Sequence, residues 1–227
     1  MSAKLPLVLD ELRGMANPDN VAGMARFGIN PEGTLGISVY DLRKLAKRLG
    51  TDHALAEQLY ASGIHEARLL ACFVDDPQQV TAEQMERWAL AFDSWDVTDQ
   101  ACTSLFDKSE LAWVKAVEWS ERQEEFVKRG AFALMAGLAW HHKTAPDERF
   151  EPFFPIILRE STDERNYVKK AVNWALRNIG KRSRGLNQRA IATAEAMRQT
   201  GSKAGRWNAS DALRELTSEK IQAKLKA

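Results

Sequence analysis

The stretch Ser94-Trp95-Asp96-Val97-Thr98-Asp99 sets a carboxylate four residues after an indole. On a helix that spacing places Trp95 and Asp99 on one face. A carboxylate held there can stabilise positive charge developing on a reacting group. A competing reading makes Trp95 a packing residue and gives Asp96 or Asp99 to the cap of a helix ending near Phe106. A second pairing runs in reverse order. Lys169 and Lys170 precede Asn173-Trp174-Ala175-Leu176-Arg177, with Trp174 four residues after Lys170. Packing competes here too, since Trp is highly buried on average. Trp88, Trp113, Trp119 and Trp140 stand among apolar neighbours at helical spacing and read as core.

Other chemistries find no support in the residue pattern. His141 and His142 are adjacent, so they point to different sides of a helix, with no third ligand nearby. Gly28, Gly33 and Gly36 follow no strand and so form no phosphate-binding fingerprint. Neither Cys72 nor Cys102 has an activating motif or a CxxC partner, and no Ser/His/Asp arrangement emerges. The expectation is a protein without cofactor or metal.

The elements that must position these residues read as helices. Leu42, Leu45 and Leu49 form one stripe, Ser38 with Asp41 resembles a capping box, and Gly50 is a stop. Ala54 to Ala61 repeats the pattern and ends at Gly63. Thr81 with Gln84 should cap a helix carrying Met85, Trp88, Ala89 and Phe92; Ser161 with Glu164 should cap another, ahead of Val168, Ala171 and Val172. Only Leu35 to Tyr40 has any extended character, and its glycine argues for a loop. The chain reads as all-α.

The helices also repeat. Glu66-Ala67-Arg68-Leu69-Leu70-Ala71, Val127-Lys128-Arg129-Gly130-Ala131 and Val168-Lys169-Lys170-Ala171-Val172 share a polar entry, a basic residue and an apolar run. Aligning Arg68, Arg129 and Lys170 puts Asp99 midway between the first two and Arg206 36 residues beyond Lys170. Periods of this length, with two helices in each, are the mark of a HEAT-like α-solenoid. The polar, proline-bearing stretch from His141 to Pro155 reads as a loop insertion, and a non-repeating bundle is the alternative fold. In a solenoid the second helix of each pair lines one concave surface. Arg68, Asp99, Arg129, Lys170 and Arg206 would then face a single basic groove suited to a phosphate backbone.

Charge points the same way. The whole chain carries +1, yet residues 166–227 hold 14 Lys/Arg against 4 Asp/Glu, while the first 165 hold 18 against 27. A basic terminal third suits a polyanion. With 44% hydrophobic and 28% charged residues the composition is globular rather than disordered. No apolar run is long enough to span a membrane, and no secretory core follows Met1. A reducing cytoplasm is the expected setting.

The sequence resembles the DNA alkylation repair family, the AlkD-like HEAT-repeat glycosylases. Leu35-Gly36-Ile37, Leu42-Arg43-Lys44-Leu45-Ala46-Lys47, Glu66-Ala67-Arg68-Leu69-Leu70-Ala71, Trp95-Asp96-Val97-Thr98-Asp99, Val127-Lys128-Arg129-Gly130-Ala131 and Val168 to Arg177 carry the likeness, in order, from about residue 20 to 216. The resemblance implies removal of purines alkylated on a ring nitrogen, such as 7-methylguanine and 3-methyladenine, from duplex DNA. It assigns glycosidic cleavage to Asp99, a phosphate to Arg129, and the sugar-phosphate at the lesion to Trp95 and Trp174. Gly130 departs from the family pattern after Arg129. The chemistry needs few groups: a cationic purine leaves as a neutral base, so the carboxylate's task is the oxocarbenium-like sugar and its attacking water.

The reading is therefore one HEAT-like domain: N-terminal helices over about 1–60, a repeat array over about 60–216, and a basic tail over 217–227. It is expected to act as a monomeric, monofunctional alkylpurine DNA glycosylase with Asp99 catalytic. Arg68, Lys169, Lys170 and Arg206 are added backbone contacts. The rival is a non-catalytic HEAT-repeat scaffold that holds nucleic acid or a protein.

Overall fold

A computed structural model describes residues 4–225. All regular elements among them are helical. The chain packs as two compact units that meet in sequence between Ser109 and Glu110. The first holds α1 (Leu5–Gly14), α2 (Pro18–Arg26), α3 (Val39–Leu49), α4 (His53–Ala61), α5 (His65–Val74), α6 (Ala82–Ala89) and α7 (Trp95–Gln100). A π-helical turn, Ala101–Leu105, and a 3-10 turn, Phe106–Lys108, continue α7. The second holds α8 (Leu111–Ser120), α9 (Glu125–His141), α10 (Phe153–Glu160), α11 (Asn166–Ile179), α12 (Arg184–Gln199), α13 (Lys203–Leu216) and the short α14 (Glu219–Gln222). No helix among the described residues is long and apolar enough to cross a membrane.

Local chemistry sets most helix ends. The Ser38 hydroxyl accepts from Asp41 N at 3.2 Å, and Gly50, with φ +74°, ends α3. Thr81 caps α6 at 3.1 Å through Gln84 N. Asp52, Ser183 and Ser202 cap α4, α12 and α13 in the same way. Each such cap contributes about 1 kcal/mol.

The Ser161–Glu164 cap does not form. Ser161 lies in helical backbone at the end of α10, where its hydroxyl donates to Leu158 O at 2.8 Å, and α11 starts after an uncapped Arg165. Glu164 instead reaches 40 residues on and accepts from Ala204 N at 3.0 Å, at the start of α13. The insertion is also shorter than the composition suggests. A 3-10 turn, Asp147–Arg149, interrupts it and α10 begins at Phe153. Pro155 thus falls in the first turn, where its missing N–H costs no helical bond.

In the second unit α9 packs against α8 and α11, α11 against α13, and α12 against α13. α10 bridges α8 and α12 while also touching α11. Three helix pairs result, α8/α9, α10/α11 and α12/α13, with the second members forming one layer. α9 is buried without a break from Val127 to Ala139, straight through Gly130, as expected of a helix apolar on all sides. The first unit repeats the scheme: α4 pairs with α5, and α3 and α7 flank α5. Tyr60 stacks on Trp88 there, with centroids 3.9 Å apart, and Phe106 closes on the same indole. Trp88, Trp113 and Trp119 are core. Trp140 is not: it is 59% exposed, because it falls just beyond the covered run of α9.

Candidate nucleic-acid interface

The start of α7 is built by its buried carboxylate. Asp96 accepts from the Ser94 hydroxyl at 2.8 Å and from Val97 N at 3.0 Å, and its other oxygen meets His65 Nε2 at 2.9 Å. His65 and Asp96 are only 3% and 6% exposed. Of the two candidate caps, then, Asp96 has the structural task. Asp99, one turn later, is partly exposed. Trp95 is half-buried, and its indole N–H donates to Phe27 O at 3.0 Å, which fixes the ring. The backbone then widens into the π-helical turn, with the Thr103 hydroxyl on Asp99 O at 2.7 Å. Such π segments often mark functional sites.

α5 anchors this corner. Glu66 is fully buried and accepts from Leu35 N, Gly36 N and Ile37 N at 2.7, 2.7 and 3.2 Å. Arg68 meets Asp93 at 3.2 Å and donates to Ala91 O at 3.2 Å, with its side chain 16% exposed. Its guanidinium braces the segment leading into α7.

The His65–Asp96 pair carries a pH signature. Burial alone would lower the His65 pKa, but the hydrogen bond and charge of Asp96, with Glu66 and Asp93, outweigh it and raise it above 6.5. Burial would raise Asp96, yet His65, Ser94 and Val97 N hold it below 3.8. The raised imidazole adds stability that is complete below 6.5 and lost as pH climbs through the raised value. The lowered carboxylate adds stability that is present above 3.8 and lost as pH falls through the lowered value. Melting curves should therefore decline on the alkaline side from about 6.5 upward, and His65→Gln should flatten that limb. An alkaline decline unchanged in His65→Gln would disprove the pair's role.

In the second unit the sequence-predicted cations fall at the fourth or fifth residue of their helices. Arg129 and Lys170 are the fifth residues of α9 and α11, and Arg206 the fourth of α13. Arg68 and Asp99 hold the matching places on α5 and α7. Arg129 is 7% exposed and donates to Tyr167 O at 2.8 Å, against the start of α11. Lys170 and Arg206 are exposed, and Lys169 sets its ammonium 5.2 Å from the Trp207 ring. None of these three cations makes an ion pair among the described residues. Trp174 is half-buried and lines a cleft on the same unit.

Two residues escaped the sequence reading. Trp207, 42% exposed, adds an aromatic face to the Lys169–Arg206 patch; its place directly after Arg206 was the available signal. Trp140 was hidden by its apolar neighbours, although His141-His142-Lys143 after it mark the end of a covered helix. No group of three metal-ligating side chains occurs among the described residues.

Comparison with known proteins adds independent findings. A family model described as DNA alkylation repair enzyme matches residues 8–216. Protein Lin0241 of Listeria innocua is 24% identical over 191 residues, spanning 82% of this chain and 83% of that protein. Protein Lmo0209 of Listeria monocytogenes is 23% identical over 191 residues, with the same shares. One solved structure is described as a new family of proteins related to the HEAT-like repeat DNA glycosylases with affinity for branched DNA structures. It superposes with a TM-score of 0.75 at 18% identity, covering 85% of this chain and 82% of that one. That likeness identifies the helix pairs as a HEAT-like repeat fold.

Proposed function

The chain belongs to the DNA alkylation repair enzyme family, and from that premise we propose that it is a monofunctional glycosylase releasing cationic alkylpurines from duplex DNA. The observation that carries the reading is the division of labour on α7. Asp96 is spent on His65, Ser94 and Val97 N, while Asp99 sits a turn away on the face of Trp95, partly exposed. A purine alkylated at a ring nitrogen departs as a neutral base and needs little acid catalysis. The sugar left behind gains oxocarbenium character, which the Asp99 carboxylate stabilises while it orients water. The Trp95 ring, on the face of Asp99, meets the C–H-rich, electron-poor sugar edge, a contact contributing about 0.5–2 kcal/mol, and Trp174 is a sugar-phosphate contact of the second unit. No lysine is singled out as a Schiff-base nucleophile, so the strand stays intact.

Arg129, Lys169, Lys170 and Arg206 hold the backbone. Four phosphate contacts give a slope of log affinity against log salt of roughly −3.6, or about a 10²-fold loss between 50 and 200 mM salt. A titration of duplex affinity against salt tests this. A slope near zero would contradict a phosphate-tracking surface. A second reading keeps the DNA and drops the chemistry, because the structurally similar protein is described by its affinity for branched DNA. Base release separates the two.

A further inference from the structure

Trp174 is one wall of a cleft whose other lining residues have no part in the function proposed above. The cleft measures about 650 Å³ and is lined by Ala139, Trp140, Lys143, Trp174, Asn178, Lys181, Arg182 and Lys224. We propose that it holds one unpaired nucleotide of a DNA strand, the base against the Trp140 ring and its phosphate among the cations. This rests on the DNA-binding part of the reading above and not on the glycosylase part.

Charge is the first argument. Four cations line the cleft, and none of the lining residues is acidic. Lys181 is matched by Glu215 at 2.9 Å. The other three make no ion pair among the described residues. Lys143 and Lys224 are exposed. Arg182 donates to Ala139 O and Ala145 O at 2.8 Å each and rests on the Phe150 ring at 4.1 Å. Those bonds fix the guanidinium at the end of α9 without cancelling its charge, and its Nε is buried with no partner. A preset, net positive wall favours an anion with several oxygens.

Aromatic surface is the second. Two indoles border the cleft, and Trp140 is 59% exposed at the end of an otherwise buried helix. The His141 imidazole stacks on it, with centroids 5.0 Å apart and planes 18° apart, which holds the ring in place. Exposed rings beside cations are the stacking platforms of single-strand binders. Asn178 supplies both a donor and an acceptor for a base edge. The volume lies within the range of small-molecule sites and exceeds what a phosphate alone needs. A paired base has its π-faces covered by neighbours in the stack, so the ring selects an unpaired one.

The test compares a blunt duplex, the same duplex with a short single-stranded overhang, and free dAMP. Wild-type protein should bind the overhang form more tightly than the blunt one, with quenching of Trp fluorescence. Trp140→Ala should lower overhang affinity about ten-fold or more, Trp140→Phe should restore part of it, and blunt-duplex affinity should hold. Lys143→Glu should weaken overhang binding and flatten its salt dependence. Equal affinity for blunt and overhang duplexes in the wild type would overturn the cleft proposal while leaving the DNA-binding surface standing. Equal losses on both DNAs in Trp140→Ala would do the same. Saturation by dAMP at concentrations where the overhang gives no advantage would assign the cleft to a free nucleotide instead. No affinity for any DNA would bring down both readings.

Discussion

Asp99→Asn should give a folded protein that still binds methylated duplex DNA but releases base about 10²–10³ times more slowly. Asparagine preserves shape and removes the charge that faces the developing oxocarbenium. Binding should hold or tighten slightly, because one negative charge leaves a surface that meets a polyanion. Asp96 sharpens the comparison. From spacing alone, Asp96→Asn would serve as an inert control; its bonds to His65, Ser94 and Val97 N make it a stability variant instead. Removing one partner of a buried ion pair typically costs about 3–5 kcal/mol. Asp96→Asn should therefore melt lower while its residual folded fraction still excises base. Thermal melting and single-turnover excision, measured on both variants, separate the roles. Full excision by Asp99→Asn would remove the carboxylate from the mechanism.

The second large effect concerns Glu66. Three backbone N–H groups, of Leu35, Gly36 and Ile37, end on its buried carboxylate. Glu66→Ala leaves all three without an acceptor, at about 1–3 kcal/mol for each buried group. The sum is a large part of the roughly 5–15 kcal/mol that holds a domain together. The loop has little room to adjust. Gly36 has φ +82°, and a Cβ there would lie 2.0 Å from Asn17 O. Glu66→Gln keeps one carbonyl oxygen and should fall between wild type and Glu66→Ala. At about 2–4 °C for each kcal/mol in a chain of this size, Glu66→Ala should lower the melting midpoint by 10 °C or more. A shift of only a few tenths of a degree would show that the loop finds water or other acceptors and that Glu66 is dispensable.

Some of this was legible in the sequence because the determinants are local. Ser38 and Thr81 cap helices whose first N–H groups lie three residues away, and both do so. Arg68, Asp99, Arg129, Lys170 and Arg206 each fall at the fourth or fifth residue of a helix, as the repeat alignment expects. What stayed hidden depends on residues distant in sequence. Asp96 is explained by His65, 31 positions earlier, and Glu66 by backbone groups about 30 positions before it, which no side-chain pattern reveals. Glu164 matches a capping-box pattern for its own helix, yet serves one 40 residues on. Arg68 has a task of the same hidden kind. Its type and register suit a phosphate, and in the fold it also holds Asp93 and Ala91 O, more than 20 positions later. Trp140 was misjudged because apolar neighbours mark a helix as buried without saying where its cover stops.

The central claim is that the chain cleaves the glycosidic bond of a cationic purine, and it is met most directly by measuring free 7-methylguanine released from methylated duplex DNA by the wild-type protein. The account predicts free base accumulating with time, an intact strand carrying an abasic site, and negligible release from unmethylated DNA. Binding of the methylated duplex with no base released above the spontaneous rate would contradict it, and would leave a HEAT-repeat scaffold that holds DNA without acting on it.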